Sequence, residues 1–589
     1  MNWDLSKLYA SFDDAQFISD MNALEAMAED GKKLVDALCA GENTVATLHQ
    51  AVLLMQAAMD LDGKLNCMVF LTLAANSECR EALGPRVRLM DIESKLMVLQ
   101  SALIKWIGDC ENIDGIIAQD ELLKEHALYF CKAKAKAEHL IDPALEETVL
   151  KLQQTGGESW AQLRDELFAS VTVAFEIDGE VRKLPLPSIH FLTDNPDPEI
   201  RKRAHYAELA AYPAVEIAMA ACMNGIKGEA LTMAKLRKFD SVLDWMLADS
   251  RMDKRVFDAL MAAMHASLPM FRRYFRLKAK LLSGADKLNF YDLTAPLASS
   301  SKQYSLDDCK NLLVDVFSKH HKPIADVMQR AFDERWIDAF PRSGKAGGAF
   351  CAGVHALKMS YVLTNFEGNF SGVSTLAHEL GHAYQDSRLA RVSSLLCDLP
   401  MPLAETASTF NELLLSESIL ENADRDTQIA ILDQQICDAS QVIVDILSRF
   451  LFESEVVEKR KTQTMSASDL CAIMVGAQKA TFGDAMNEES FHPYMWAYKP
   501  HYYSTSEHFY NYPYAFGQLF ATGLYALYRE KGDAFWPVYD HILESSGAGT
   551  ILEVAESAGI NIADPAFWTS SLEIYSKKID MLEALTAEN

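Results

Sequence analysis

The chain is predicted to be mostly α-helical with a small β element, and three observations in its 589 residues lead there. Apolar residues recur at three- and four-residue spacings from Asp13 to about Glu166 and again between 199 and 335, the pattern of helices with one buried face. Period-two alternation is confined to short stretches, near 171–184 and 361–366. Hydrophobic residues make up 49% and charged residues 23%, the balance of a folded globular protein, so these helices have a sizeable core to share.

In chain order, the cluster Ala51-Val52-Leu53-Leu54-Met55 and the series Leu89, Met90, Ile92, Leu96, Met97, Leu99 read as core stripes of paired helices. No repeat of fixed period accompanies them. From Val171 to Leu184 the alternation lies on both sides of Asp178-Gly179, which is the form of a β-hairpin with a tight turn. Pro185 and Pro187 then break the chain, and Asp194-Asn195-Pro196-Asp197-Pro198 caps a new helix from about Glu199. This predicts two parts: residues 1–190, a helical domain ending in the hairpin, and residues 191–589, a catalytic domain. Helical patterning after 199 is broken at 282–286 and across 293–301, and Leu288 to Asp292 reads as a short strand or an extended connector.

The glycine-rich run Arg342 to Phe350 contains Gly344-Lys345 but lacks the glycine five residues earlier and the Ser or Thr after the lysine that a phosphate loop needs. Nucleotide binding is therefore excluded. The strand or strands around Tyr361 to Phe366 either offer an edge to an extended peptide or form a plain buried ladder.

With 55 Lys and Arg against 83 Asp and Glu, the formal charge of −28 repels nucleic acid and anionic membrane surfaces. The eleven cysteines are scattered, odd in number and free of any C-x-x-C pair, which indicates free thiols in a reducing compartment. Met1 to Lys7 lacks the features of a signal peptide, and the longest apolar runs, such as Ala214 to Met223 with Glu216 inside it, are too short to span a bilayer. A cytoplasmic enzyme is expected.

The chemistry centres on His378-Glu379-Leu380-Gly381-His382. On a helix the two imidazoles lie on one face, where both can bind one metal ion while Glu379 reaches a water on it. A catalytic zinc ion commonly takes three protein ligands. No His occurs between His382 and His492, but the stretch from Met401 to Glu412 reads as a helix with Glu405, Ser408, Thr409 and Glu412 on one face. Leu403, Ala404, Ala407 and Phe410 mark that helix as buried, and a carboxylate there wants a cation or a donor. Glu405 is therefore expected as third ligand and Glu412 as an acceptor orienting a metal-bound histidine. Two His and one Glu suit one zinc ion per chain best, although cobalt or manganese fit the same ligands. Zinc lowers the pKa of bound water to roughly 7, and Glu379 can then take the proton as water attacks a carbonyl. Donors to the resulting oxyanion are sought in the aromatic stretch from Tyr494 to Phe516, with His501 and Tyr512 first and Tyr510 next.

These residues resemble the oligoendopeptidase F family, relatives of thimet oligopeptidase. The match lies in Thr375 to His382, Ala404-Glu405-Thr406-Ala407-Ser408, Pro500-His501-Tyr502-Tyr503 and Phe509-Tyr510-Asn511-Tyr512, in that order. Trp3 to Tyr9 and the region near 160 to 205 extend it over most of the chain. The resemblance implies an elongated multi-helix shell around a deep substrate channel, with His378, His382 and Glu405 as ligands, Glu379 as general base and acid, and His501 and Tyr512 as transition-state stabilisers. The chain departs from many relatives at Gln385, where they carry a further, non-ligating His.

The reading that results is a zinc-dependent endopeptidase acting on short peptides. Two alternatives stand beside it: a carboxypeptidase trimming peptide C-termini, for which a basic residue fixing the terminal carboxylate would be decisive, and a non-catalytic peptide-binding metalloprotein, which would have no use for Glu379.

Overall fold

The computed structural model describes residues 1–177, 179–298 and 302–587 of the chain, and they are mostly helical. Three long helices open it, α1 (Ala15–Cys39), α2 (Thr44–Ala75) and α3 (Leu83–Asp109). Val35, Leu48, Val52, Met55, Leu99, Leu103 and Ile107 pack together in their shared core. The expected stripe on α3 divides: Leu89, Ile92 and Leu99 are buried, while Met90 and Met97 are 57% and 62% exposed. At 100° per residue these methionines fall on the far side of α3 from the face that meets α1.

The hairpin forms with β1 (Thr172–Ile177) antiparallel to β2 (Glu180–Pro185), pairing Val173 with Leu184 and Phe175 with Arg182. Gly179 takes φ +77°, as a tight turn needs, and Asp178 lies outside the described residues. Pro185 and Pro187 do not end the regular structure here. Pro187 sits in the first turn of a short helix, Leu186–Phe191, where its missing N–H costs nothing. Asp197 then caps α4 (Pro198–Ala211) by accepting from Glu199 N, and α5 (Glu216–Leu236) and α6 (Val242–Asp249) follow. Leu288 makes one parallel bridge to Met486 before a 3-10 turn at Phe290–Asp292, so this segment is a connector. Of the break at 293–301, residues 299–301 lie outside the described residues.

A three-stranded sheet of order β3-β5-β4 precedes the pentad. In it β5 (Met359–Leu363) is buried throughout, parallel to β3 (Ile337–Asp338) and antiparallel to β4 (Phe350–Val354). The chain start is fastened to it: the Trp3 ring meets Tyr361 edge-on at 6.1 Å, and the Tyr361 hydroxyl donates to Asp4 O at 2.9 Å. Lys345 of the glycine-rich run is spent inside the protein, donating to the carbonyls of Asp338, Phe340 and Thr364 and pairing with the Asp338 carboxylate at 2.9 Å.

The chain divides into two compact units, each assembled from three stretches. One comprises Met1–Leu140, Ser301–Ile419 and Leu527–Ile560; the other comprises Ile141–Ser300, Leu420–Ala526 and Asn561–Asn589. Residue 190 lies within the first stretch of the second unit. That unit has its own core, where Tyr212, Met219, Met223, Phe452, Trp496 and Tyr502 come together. Among the described residues no single helix is long and apolar enough to cross a membrane. The bent pair Pro198–Ala214 and Glu216–Leu236 meets that test only when joined, and it gives Met219, Cys222 and Ile226 to this core.

Candidate metal centre

The pentad lies on α7 (Phe370–Leu389), which packs against β4 and β5. Asn369 starts it by accepting from Gly372 N at 2.8 Å, and Val373, Leu376, Leu380 and Ala383 form its buried face. His378 and His382 follow one another at one helical turn, with ring centroids 5.0 Å apart. Glu379 is only 6% exposed.

The stretch expected to be one helix through Glu405 is two. Met401–Ala404 makes a single turn, Glu405 stands in a bend at φ −92°, ψ 8°, and α8 (Thr406–Leu420) starts behind it. This bend frees the Glu405 carboxylate from a helical row and points it at the histidines. A glycine makes the approach possible: a Cβ on Gly381 would stand 2.7 Å from both the Ala407 carbonyl oxygen and Ser408 Cα, closer than atoms can pack. Glycine inside a helix costs roughly 1 kcal/mol against alanine, and here it lets the backbones of α7 and α8 touch.

Glu405 Oε2 lies 3.2 Å from His378 Nε2 and 3.5 Å from His382 Nε2, and accepts from Ser408 Oγ at 2.8 Å. One ligand atom from each of His378, His382 and Glu405 falls within 4.8 Å of the others, the one such group among the described residues. Two imidazole nitrogens and a carboxylate oxygen so gathered fit a divalent ion. On the other side of His378, Glu412 Oε1 sits 2.5 Å from Nδ1. With an ion bound, a proton held on Nδ1 would leave the Nε2 lone pair to ligate it.

Electrostatics report the same crowding. Burial opposes a charged imidazole, yet hydrogen bonds to Glu405 and Glu412 prevail and push His378 up to about 10. Burial also favours neutral Glu405, but its bonds to the two histidines hold its carboxyl well below the usual range. For Glu379 burial wins, and its carboxyl is raised despite the nearby histidines.

Asp386, one turn beyond His382, was not marked by the sequence reading. It accepts from Ser360 Oγ of β5 at 2.8 Å, and burial raises its carboxyl while the charge of His382 opposes this. The H-x-x-x-D spacing is the signal that could have found it. Gln385 is buried and turned away, with Nε2 3.4 Å from Ser546 Oγ.

The aromatic candidates belong to the second unit. His501 stands in a 3-10 turn (Pro500–Tyr503), with the Tyr510 ring stacked at 5.6 Å and the Tyr514 ring edge-on at 6.4 Å. All three are half-buried. Burial, then the charges of Arg449, Lys499 and Arg164, push His501 down to about 4, so it is neutral at pH 7. Tyr512 is different. It is 2% exposed, its hydroxyl is 2.6 Å from Ser250 Oγ just beyond α6, and Phe257 meets its ring edge-on. In this conformation its hydroxyl is occupied, and Tyr510 and Tyr514 are the rings that accompany His501. Sequence spacing could not separate them, because four tyrosines lie within a dozen residues.

Against known proteins, the pattern of the family described as peptidase family M3 matches residues 191–574. A curated relative from Lactococcus lactis subsp. lactis, an oligoendopeptidase F homolog, is 26% identical over 509 residues, 83% of this chain and 80% of its own. A crystal structure from Chlamydophila abortus is 21% identical with a TM-score of 0.86, covering 99% of this chain and 98% of that one. Oligoendopeptidase-F from Enterococcus faecium is 18% identical with a TM-score of 0.69, over 98% of this chain and 99% of that one. The two structures speak for the fold, and the match to the family covers more than half the chain.

Proposed function

Because this chain belongs to peptidase family M3, we propose that it is a zinc metalloendopeptidase cleaving internal bonds of short peptides, with His378, His382 and Glu405 as the metal ligands. The observation that carries this reading is the convergence of two Nε2 atoms on Glu405 Oε2 beside a buried carboxylate, Glu379. The oligoendopeptidase F homolog from Lactococcus lactis supports oligopeptides as the substrate class. The scattered cysteines and acidic charge support a cytoplasmic setting.

A divalent ion held by these ligands supplies a Lewis acid for the scissile carbonyl and lowers the pKa of water towards about 7. Glu379 accepts the proton of the attacking water and returns it to the leaving amine. Its raised carboxyl makes it a stronger base than a solvated glutamate. Glu412 fixes the His378 ring through Nδ1, and Ser408 restrains the Glu405 carboxylate. His501 and Tyr510 serve as donors to the oxygen on which negative charge develops.

The test combines metal analysis of the purified protein with mass spectrometry of products from an end-blocked peptide. Zinc near one per chain and internal cleavage, lost in Glu379→Gln with zinc retained, is the expected result. Trimming of free C-termini alone would replace this reading with the carboxypeptidase one, and zinc without any cleavage would replace it with the peptide-binding one.

A further inference from the structure

His378 and His382 each turn one ring nitrogen to the cluster, and their other nitrogens are placed differently. His378 Nδ1 meets Glu412 Oε1, whereas His382 Nδ1 has no hydrogen-bond partner among the described residues. A metal-ligating histidine almost always donates its second ring N–H to a carboxylate, a backbone carbonyl or a water, because that proton fixes the tautomer that leaves the ligating nitrogen its lone pair. His382 therefore lacks an acceptor that the site calls for.

Asp386 lies one turn further along α7, and residues four apart share a helix face. The sheet beside α7 is shaped to hold its carboxylate. Ser360 Oγ of β5 donates to Asp386 Oδ2 at 2.8 Å, and the Cys351 thiol of β4 reaches the same oxygen at 3.8 Å. Gly353, also on β4, supplies the room: a Cβ there would stand 2.6 Å from Oδ2 and 3.0 Å from Oδ1. Oδ1 itself accepts no hydrogen bond among the described residues.

A half-buried carboxylate with one hydroxyl and one thiol as donors calls for a stronger partner. Among the described residues no Lys or Arg lies within ion-pair distance of it. Two imidazoles bear on it by charge, those of His382 and His355. His355 is engaged elsewhere, with Nδ1 2.9 Å from Asp60 Oδ1 and Nε2 3.0 Å from Val392 O. That leaves His382, and the unpartnered atoms of the two side chains are its Nδ1 and Asp386 Oδ1.

We propose that Asp386 is a positioning residue for the metal centre: with the ion bound, its carboxylate accepts a hydrogen bond from His382 Nδ1, directly or through one water, and does for His382 what Glu412 does for His378. The inference rests on the reading of His378, His382 and Glu405 as zinc ligands, and every group in it belongs to one compact unit. A plain structural role is the alternative, in which Asp386 serves only to strap α7 to β5 through Ser360.

The test separates the two by reading metal affinity apart from folding. Zinc affinity is measured by competition with a chelator of known affinity in the wild type, Asp386→Asn, Ser360→Ala and the double variant Asp386→Asn with Glu412→Gln, and urea unfolding is followed in each metal-free protein. Asp386→Asn, whose amide oxygen can still accept from Ser360, is expected to weaken zinc about ten- to hundredfold while its metal-free unfolding midpoint stays near that of the wild type. Ser360→Ala should lower the midpoint and change zinc affinity far less. The double variant should lose the product of the two single factors, because two different imidazoles are released. Should Asp386→Asn fail to fold, Asp386→Ser, which removes the charge and keeps a polar partner for Ser360, reads the same loss. Zinc affinity unchanged in Asp386→Asn or Asp386→Ser, with the midpoint lowered as in Ser360→Ala, would overturn the proposal in favour of the strap. A folded wild type that binds no zinc would instead sink the metal reading itself, and the proposal with it.

Discussion

Gly381 and Ala407 meet backbone to backbone: a methyl group on the glycine would come within 2.7 Å of the Ala407 carbonyl oxygen. This contact sets how near the Glu405 bend comes to the two histidines of the preceding helix. Gly381→Ala, which improves the intrinsic helix propensity of α7, is expected to lower stability by about 1–3 kcal/mol, the usual range for overpacking. It should weaken zinc binding as well. Urea denaturation and chelator competition would check both, and a variant as stable and as metal-tight as the wild type would show that α8 can shift freely.

Glu412→Gln removes the negative acceptor at His378 Nδ1 without changing its shape. Zinc affinity is expected to fall about ten- to hundredfold, the usual effect of losing a carboxylate behind a metal-bound histidine. Competition with a chelator of known affinity measures it. Unchanged affinity would mean that the 2.5 Å contact orients nothing.

Glu379→Gln should retain zinc and reduce kcat by about a hundred- to ten-thousandfold, the contribution of a positioned general base. The comparison is informative because Glu379 touches none of the three ligand atoms within hydrogen-bond range. Loss of zinc in this variant would instead assign it a place in the metal shell.

Tyr512→Phe and Tyr510→Phe should behave differently. The Tyr512 hydroxyl is bonded to Ser250, so its loss should cost about 1 kcal/mol of stability and leave kcat nearly intact. Tyr510, half-buried beside His501, should lower kcat with little change in stability. A large loss of kcat in Tyr512→Phe would show that its hydroxyl leaves Ser250 when substrate binds.

Acid should destabilise the protein through its neutral histidines. Burial, then the charge of His492, pushes His205 down to about 3, against an ordinary value of 6.5. The unfolded chain therefore takes up a proton below about pH 6.5 that the folded chain refuses, so this contribution makes stability rise with pH from about 3 to 6.5 and level off above. His501, pushed down to about 4, adds in the same direction. Chemical denaturation across this range should show the slope, and His205→Gln should flatten part of it; a slope unaffected by the variant would assign it to other groups.

How much was legible beforehand depended on the range of the interaction. The pentad could be read because helical periodicity alone sets His378 and His382 on one face. Glu405 could be read because an acidic residue amid Leu403, Ala404 and Ala407 needs a partner. The helix expected to run through Glu405 was not found, since the bend there answers to a contact across space with Gly381. Met90 and Met97 looked like core for a related reason: a stripe shows which faces are apolar but not how many of them a neighbour covers.

The sequence by itself determined a mostly helical chain, the hairpin at 172–185 and a pentad with both imidazoles on one helical face, because each follows from residues near one another along the chain and from the fixed periods of helix and strand. Only the tertiary structure decided that Glu412 holds His378 and that Tyr512 is taken up by Ser250. Those outcomes turn on which distant side chain arrives within 3 Å of a polar atom, and no local period encodes that distance.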